Sequence, residues 1–340
     1  MGSEIFSARF QQSVLEFKRP ATTSRLTLKE HTVYYIFLTK NNITGTGEAA
    51  PLKGLSVDDV PDFELRLQAI CDQINQGIAI ENIDLTNLPS IQFALETALL
   101  DLQNGGRKIL FDTSFTRSEK PILMNGLVWM NDSRTMLTEA FEKVELGYTT
   151  IKFKVGALDF DEECRMLESF RKRYNEWKVE IRLDANGAFP NSDALQMLKD
   201  LNRFHIHSME QPIKAGKWEA MQELCAMTPI AIALDEELIG QKPDTKMLLF
   251  IKPKYLVLKP TLLGGLRVAD EWISICKKLE IGWWVTSALE SNIGLNAIAQ
   301  WVSQFDNPLP QGLGTGGLYV KNWEMPLQIY EGNLHYTVSD

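Results

Sequence analysis

Three apolar runs that each close on an acid recur at one spacing, and that spacing constrains the fold more than any other feature of the chain. Val179 and Ile181 lead into Arg182-Leu183-Asp184-Ala185-Asn186-Gly187, which reads as a strand ending at Asp184 before a tight Asn-Gly turn. Ile206 to Met209 closes on Glu210, followed by Gln211-Pro212, and Ile230 to Leu234 closes on Asp235. Asp184 and Glu210 are 26 positions apart, and Glu210 and Asp235 are 25. Such an interval holds one strand, one helix and two loops, the repeat of a βα barrel, so three successive strands each deliver a carboxylate to one rim. Three acids on one rim suit a hard divalent cation.

The flanking sequence agrees with a barrel. Beyond Gly105-Gly106 the chain alternates strand and helix patterns, with strands expected to end near Asn125, Lys154, Asp184, Glu210, Asp235, Lys259, Ser287 and Gly312. Helical spacing marks Met136 to Leu146, Asp161 to Tyr174, Ala194 to Phe204, Trp218 to Met227 and Leu266 to Leu279. Eight strands with parallel crossovers make a TIM-type barrel. Before it, Glu4 to Glu48 reads as strands with a hairpin turn at Lys40-Asn41-Asn42, and helices are expected over Val60 to Ile74 and Leu88 to Gln103. That is an α+β layer distinct from the barrel. Arg19 to Ser24 is expected to be a mobile loop, and Leu327 to Val338 alternates again, as a strand returning to the first layer would. A length of 340 residues accommodates a barrel with an added smaller domain.

A formal charge of −9 argues against nucleic acid or an anionic membrane surface as a partner, since both are polyanions. Cys71, Cys164, Cys225 and Cys276 are widely spaced, with no C-x-x-C pair, and read as reduced thiols of a cytoplasmic protein. Met1 to Phe6 lacks the basic and apolar regions of a leader, and no apolar stretch approaches the length of a membrane span.

In Ile151-Lys152-Phe153-Lys154-Val155, period-two alternation places Lys152 and Lys154 on one face and the apolar residues on the other. Alone, a Lys-x-Lys pair is an ordinary solvated edge strand. One barrel repeat ahead of the acids, the pair points to the barrel mouth instead. Tyr255 to Leu258 then leads to Lys259, 24 positions after Asp235. A divalent ion held by Asp184, Glu210 and Asp235 would stabilise the enediolate formed when a carboxylate substrate loses its α-proton. Lys154, its pKa lowered by Lys152 and the ion, suits the base, and Lys259 suits a second acid/base or a positive charge over the intermediate. Each acid also has an ordinary structural role: an Asx turn for Asp184, a strand end for Glu210, a helix cap for Asp235. Those roles do not explain their joint spacing. His205 and His207 are a weaker metal candidate, His31 and His335 have no suggestive neighbours, and Gly264-Gly265 and Gly312 to Gly317 resemble phosphate loops without a basic residue.

With Lys-x-Lys, Asp-Ala-Asn, Met-Glu-Gln-Pro, Leu-Asp-Glu and Leu-Lys-Pro in order, nearly the whole chain resembles the enolase superfamily, muconate-lactonizing enzyme subgroup. Gly47-Glu48-Ala49-Ala50-Pro51-Leu52 is similar to that subgroup's capping domain. The resemblance implies a modified TIM barrel, (β/α)7β, over residues 119–317, with an α+β capping domain from 1–118 and a C-terminal segment, 318–340, returning to it. It implies Mg²⁺, with Mn²⁺ as a substitute, on Asp184, Glu210 and Asp235, with Lys152, Lys154 and Lys259 catalytic. Ser287, Asn186 and Gly312 are the expected substrate-binding residues, and a small-molecule carboxylate is the expected partner, with homo-oligomerisation left open. Val285-Thr286-Ser287-Ala288-Leu289-Glu290-Ser291 lacks the His base of the mandelate branch, and Gly312-Leu313-Gly314-Thr315-Gly316 lacks the Asp pair that would hold a dipeptide's ammonium. What remains most similar are members that dehydrate a succinyl-bearing cyclohexadiene carboxylate to an aromatic ring on the menaquinone pathway. Racemisation of N-succinylamino acids stays open beside it. From other classes, so do a Schiff-base lysine aldolase and a non-catalytic ligand-binding barrel.

Overall fold

The computed structural model describes residues 6–23 and 26–337. Glu4, Ser24 and Val338, which bound three of the expected segments, lie outside them. Strands β1 (Ser7–Thr22), β2 (Thr27–Lys40) and β3 (Ile43–Ala49) form an antiparallel meander. Asn41 and Asn42 both have positive φ, 50° and 63°, the left-handed pair that a two-residue hairpin turn requires. Arg19 to Thr22, expected as part of a loop, belongs to β1. The β1–β2 pairing lapses between Glu16 and Ala21, where Pro20 offers no N–H, and resumes at Ala21.

One face of the meander packs on α1 (Phe63–Asn75) and α2 (Pro89–Gln103). β3 lies directly on the α2 backbone, because a Cβ at Gly45 would stand 2.0 Å from the Ala98 carbonyl oxygen and one at Gly47 1.9 Å from that of Ala94. The other face meets the barrel through Val33, Tyr35 and Phe37 against Leu289, Ile293 and Tyr319.

After β4 (Ile122–Leu123) the barrel runs β5 (Gly126–Val128), α3 (Ser133–Glu145), β6 (Thr150–Lys154), α4 (Phe160–Arg173), β7 (Glu180–Asp184), α5 (Ala194–Leu201), β8 (Ile206–Glu210) and α6 (Trp218–Met227). It continues with β9 (Ala231–Leu234), α7 (Thr245–Ile251), β10 (Tyr255–Leu258), α8 (Pro260–Leu263), α9 (Leu266–Leu279), β11 (Gly282–Val285) and α10 (Asn292–Val302). β5 to β11 form one seven-stranded parallel sheet in sequence order. The expected eighth strand is reduced to two residues, Gln311 bridging Met124 and Gly312 bridging Thr286, which close the sheet into a barrel. The first barrel strand begins at Gly126 rather than ending near Asn125, whose N–H donates to Gln311 at that closure. Outward residues such as Ile151, Phe153 and Val155 join the main core under the helices.

The tail departs from the expected single strand. Leu318 to Val320 meets β1, with the Lys18 N–H donating to Leu318 and the Val320 N–H to Glu16. β12 (Leu327–Tyr330) and β13 (Asn333–Tyr336) then form a hairpin that pairs with β4 instead of the meander. Among the described residues no helix is long and apolar enough to cross a membrane.

Candidate active site

Each expected acid and lysine but Lys152, which lies two residues inside β6, stands at the C-terminal end of a barrel strand, and parallel pairing brings them together. Lys152 and Lys154 come from β6, Asp184 ends β7, Glu210 ends β8, Asp235 follows β9 and Lys259 follows β10. In sheet order the acids therefore lie between the lysine pair on one side and Lys259 on the other. One oxygen from each acid can be chosen so that all lie within 4.8 Å of one another, and all three residues are buried. Lys152 Nζ reaches Glu210 Oε1 and Oε2 at 2.7 and 2.6 Å and Asp184 Oδ2 at 2.9 Å. Lys154 Nζ donates to Asp184 Oδ2 at 2.6 Å and Asn186 Oδ1 at 2.9 Å, while Lys259 Nζ donates to Asp235 Oδ2.

Burial alone would raise the Asp184 pKa, but Lys152 and Lys154 outweigh it and hold that carboxyl well below its ordinary value. Glu210 goes the other way: burial and then the neighbouring Asp184 charge push it well above the ordinary value, even with Lys152 on both its oxygens. For Lys152 and Lys259 burial would lower the pKa, and the surrounding carboxylates more than reverse it. A crowded set of hard oxygen donors, one of them resisting ionisation, fits a divalent cation. Schiff-base chemistry gives three buried carboxylates packed beside the lysines no task, whereas enediolate chemistry uses them to hold a cation, which argues against the aldolase reading.

The local sequence explains the placement. Asn186 and Gly187, at φ 47° and 78°, make the expected turn, in which Asp184 Oδ1 accepts from the Asn186 N–H at 3.0 Å. Gln211, fully buried, was not among the expected site residues; its Oε1 accepts from the Asp235 and Glu237 N–H groups at 3.1 and 3.3 Å and so orients the third acid. Its signal was its place in Glu-Gln-Pro. Glu290 was likewise missed: it accepts from Ser287 Oγ at 2.6 Å, the Ala288 N–H at 2.8 Å and Thr261 Oγ1 at 2.5 Å.

Lys152, Lys154, Lys259, Asn186, Ser287 and Gly312 all line one pocket at this rim, beneath Leu26, Leu28 and the Leu52 to Leu55 loop of the meander layer. The amide of Asn186 is committed, its Oδ1 to Lys154 and its Nδ2 to Glu236 at 2.9 Å. His207 is stacked on Tyr255 near Trp284, and His205 is largely exposed near Glu176, so neither joins the acids. The Gly264-Gly265 turn holds a carboxylate already, since Glu96 accepts from the Leu266 and Arg267 N–H groups at 2.6 and 3.0 Å.

Comparison with known proteins places this site in a lineage. Residues 135–336 match the family described as enolase C-terminal domain-like, and residues 13–102 match the MenC N-terminal domain. The o-succinylbenzoate synthase of Desulfotalea psychrophila is 41% identical over 96% of this chain and 97% of its own. The crystal structure of MenC from that organism superposes with a TM-score of 0.88 at 37% identity, covering 97% of this chain and 99% of that one. The substrate-liganded L-Ala-D/L-Glu epimerase of Bacillus subtilis shares the fold, with a TM-score of 0.84 at 18% identity, over 98% of this chain and 96% of that one. A barrel whose acids and lysines stand at successive strand ends, under a MenC-type N-terminal layer, thus makes this chain a member of the o-succinylbenzoate synthase family of the enolase superfamily.

Proposed function

We propose that the chain catalyses the syn-dehydration of 2-succinyl-6-hydroxy-2,4-cyclohexadiene-1-carboxylate to 2-succinylbenzoate. The observation that carries this reading is the order of groups around the rim: a lysine pair, three buried acids and a facing lysine, with the lysines lining one pocket. Asp184, Glu210 and Asp235 would hold Mg²⁺, with Mn²⁺ as a substitute, which when bound would supply positive charge at the substrate's ring carboxylate and so make the α-proton more acidic. Lys154 takes the α-proton, and the C–H electrons move onto the carboxylate as an enediolate. Those electrons return to form the ring double bond as the neighbouring C–O bond breaks. Lys154, now an ammonium, returns its proton to the departing hydroxyl on the same face, so water leaves and the ring becomes aromatic. Lys259 places a positive charge by the opposite face, Lys152 fixes Glu210 and Asp184, and Asn186 orients Lys154. Ser287 and Gly312 shape the wall that meets the succinyl arm.

The flanking positions of Lys154 and Lys259 also favour a second reading, two-base racemisation of N-succinylamino acids. Ultraviolet-monitored turnover separates the two. Loss of the diene chromophore with Mg²⁺, abolished by chelator, is expected of the synthase. Inert diene together with solvent-deuterium incorporation into an N-succinylamino acid would overturn the synthase reading in favour of the racemase.

A further inference from the structure

The residues expected to bind substrate have few polar atoms left to offer. The Ser287 hydroxyl donates to Glu290 and accepts from Thr315 Oγ1 at 2.7 Å and the Leu289 N–H at 3.0 Å, which fills its capacity. Its backbone N–H donates to the Gly312 carbonyl at 3.1 Å, and the Gly312 N–H donates to Val285 at 2.8 Å. The Ala288 N–H is taken by Glu290. This part of the wall is a finished hydrogen-bond network.

Beside it are two groups with the opposite character. Of the buried polar side-chain atoms without a hydrogen-bond partner among the described residues, two belong to the pocket lining: Thr286 Oγ1 and Asn125 Oδ1. Thr286 is 6% exposed and Asn125 3%. They come from opposite edges of the seven-stranded sheet and meet across its closure, where Gly312 bridges Thr286 and the Asn125 N–H donates to Gln311. A Cβ at Gly312 would stand 2.6 Å from Thr286 Cγ2 and 3.5 Å from Asn125 Oδ1, so the glycine keeps open the space over which the two side chains face the pocket. A buried polar atom without a partner costs free energy in the empty protein, and a ligand that supplies the partner recovers it.

We propose that Thr286 and Asn125 form the polar subsite for an oxygen of the succinyl arm, the Thr286 hydroxyl and the Asn125 amide Nδ2–H donating to it, with the carboxamide turned so that Nδ2 and not Oδ1 faces the arm, the donor pair that Ser287 cannot supply. The proposal rests on the synthase reading and adds to it the residues that recognise the arm. They are binding residues, at the seam between the first and last barrel strands, and take no part in proton transfer. With the ring carboxylate directed, in the proposed mechanism, to the lysines and the cation on the acids, the subsite discriminates ligands by what the ring bears.

Calorimetric titration in Mg²⁺ with 2-succinylbenzoate, and with benzoate as a probe lacking the arm, tests this in the parent, Thr286→Val and Asn125→Leu. Each substitution keeps the side chain's shape and removes its hydrogen-bonding. Each is expected to weaken 2-succinylbenzoate roughly five- to tenfold, the worth of one hydrogen bond, and to leave benzoate unchanged. In turnover the same variants raise KM and leave kcat near the parent value. Thr286→Val should melt no lower than the parent, since it removes an unpaired buried hydroxyl. Replacing the arm's ketone by a methylene, or its carboxylate by a methyl group, identifies the oxygen: the analogue lacking it binds parent and variant alike. Unchanged 2-succinylbenzoate affinity in both folded variants would overturn the subsite. A parent that neither binds 2-succinylbenzoate nor turns over the diene would overturn the synthase reading itself.

Discussion

Asp184 is the residue on which the two halves of the chemistry meet. It accepts from Lys152 and Lys154 and contributes an oxygen to the acid cluster, so in the proposed mechanism one carboxylate would both position the base and serve the ion. Asp184→Asn keeps the shape and removes the charge, which leaves two buried ammonium groups short of their counter-charge. We expect activity to fall at least about a hundredfold, the scale seen when a metal site loses an orienting or ligating partner. A Mg²⁺ titration should show weaker apparent affinity in the same variant. Full activity at the parent's Mg²⁺ dependence would remove the metal from the mechanism.

At the scale of elements, the contact between the meander and the barrel includes a buried carboxyl far from the acid cluster. Glu48, on β3, reaches the start of α10, where it accepts from the Ser291 N–H at 2.7 Å, Ser291 Oγ at 2.6 Å and the Gly294 N–H at 2.8 Å. Burial, partly offset by these hydrogen bonds, raises its pKa from 4.5 to about 7. The folded chain therefore keeps a proton that the unfolded chain releases, so the contribution to stability is intact below about pH 4.5 and is lost as pH rises to about 7. The whole swing is on the order of 3 kcal/mol. Urea unfolding of the parent and Glu48→Gln across this range should show the parent losing more stability than the variant, and parallel losses would contradict the assignment. Packing of β3 on α2 gives a second prediction. Gly47→Ala places a methyl against the Ala94 carbonyl and should cost about 3 kcal/mol, read from the same unfolding curves. Elements with one apolar stripe were legible in the sequence: Trp218–Met227 and Leu266–Leu279 are helices with the expected bounds. α10 was not, because every residue from Ile293 to Val302 is buried and its polar stripe, Asn296 and Gln300, is turned inward onto the Lys108 carbonyl rather than to solvent. The eighth strand shrank for a related reason, since two residues suffice to bridge the sheet edges and no longer run is needed.

For the whole molecule, the repeat spacing of Asp184, Glu210 and Asp235 made the barrel and its rim readable, because parallel strands of one repeat length must end on the same face. The saturation of Ser287 and the unpaired state of Thr286 were not readable, since the first is completed by Thr315, 28 residues on, and the second is set by the closure of the barrel. The family relation and the rim make a further demand on the intact protein. A divalent ion that binds only the folded acids must stabilise it, by about 2.7 kcal/mol at a hundredfold excess over its Kd. Thermal melts with Mg²⁺ should therefore rise above those in chelator, and the gap should close in Asp184→Asn. The most direct test of the proposed chemistry is the rate at which the parent and Lys154→Ala consume the cyclohexadiene substrate in saturating Mg²⁺, followed by loss of diene absorbance. The expected result is rapid loss with the parent and a rate lower by roughly 10²- to 10⁴-fold with the variant, the worth of a positioned acid/base. Equal rates in the two folded proteins, or no loss with the parent, would contradict it.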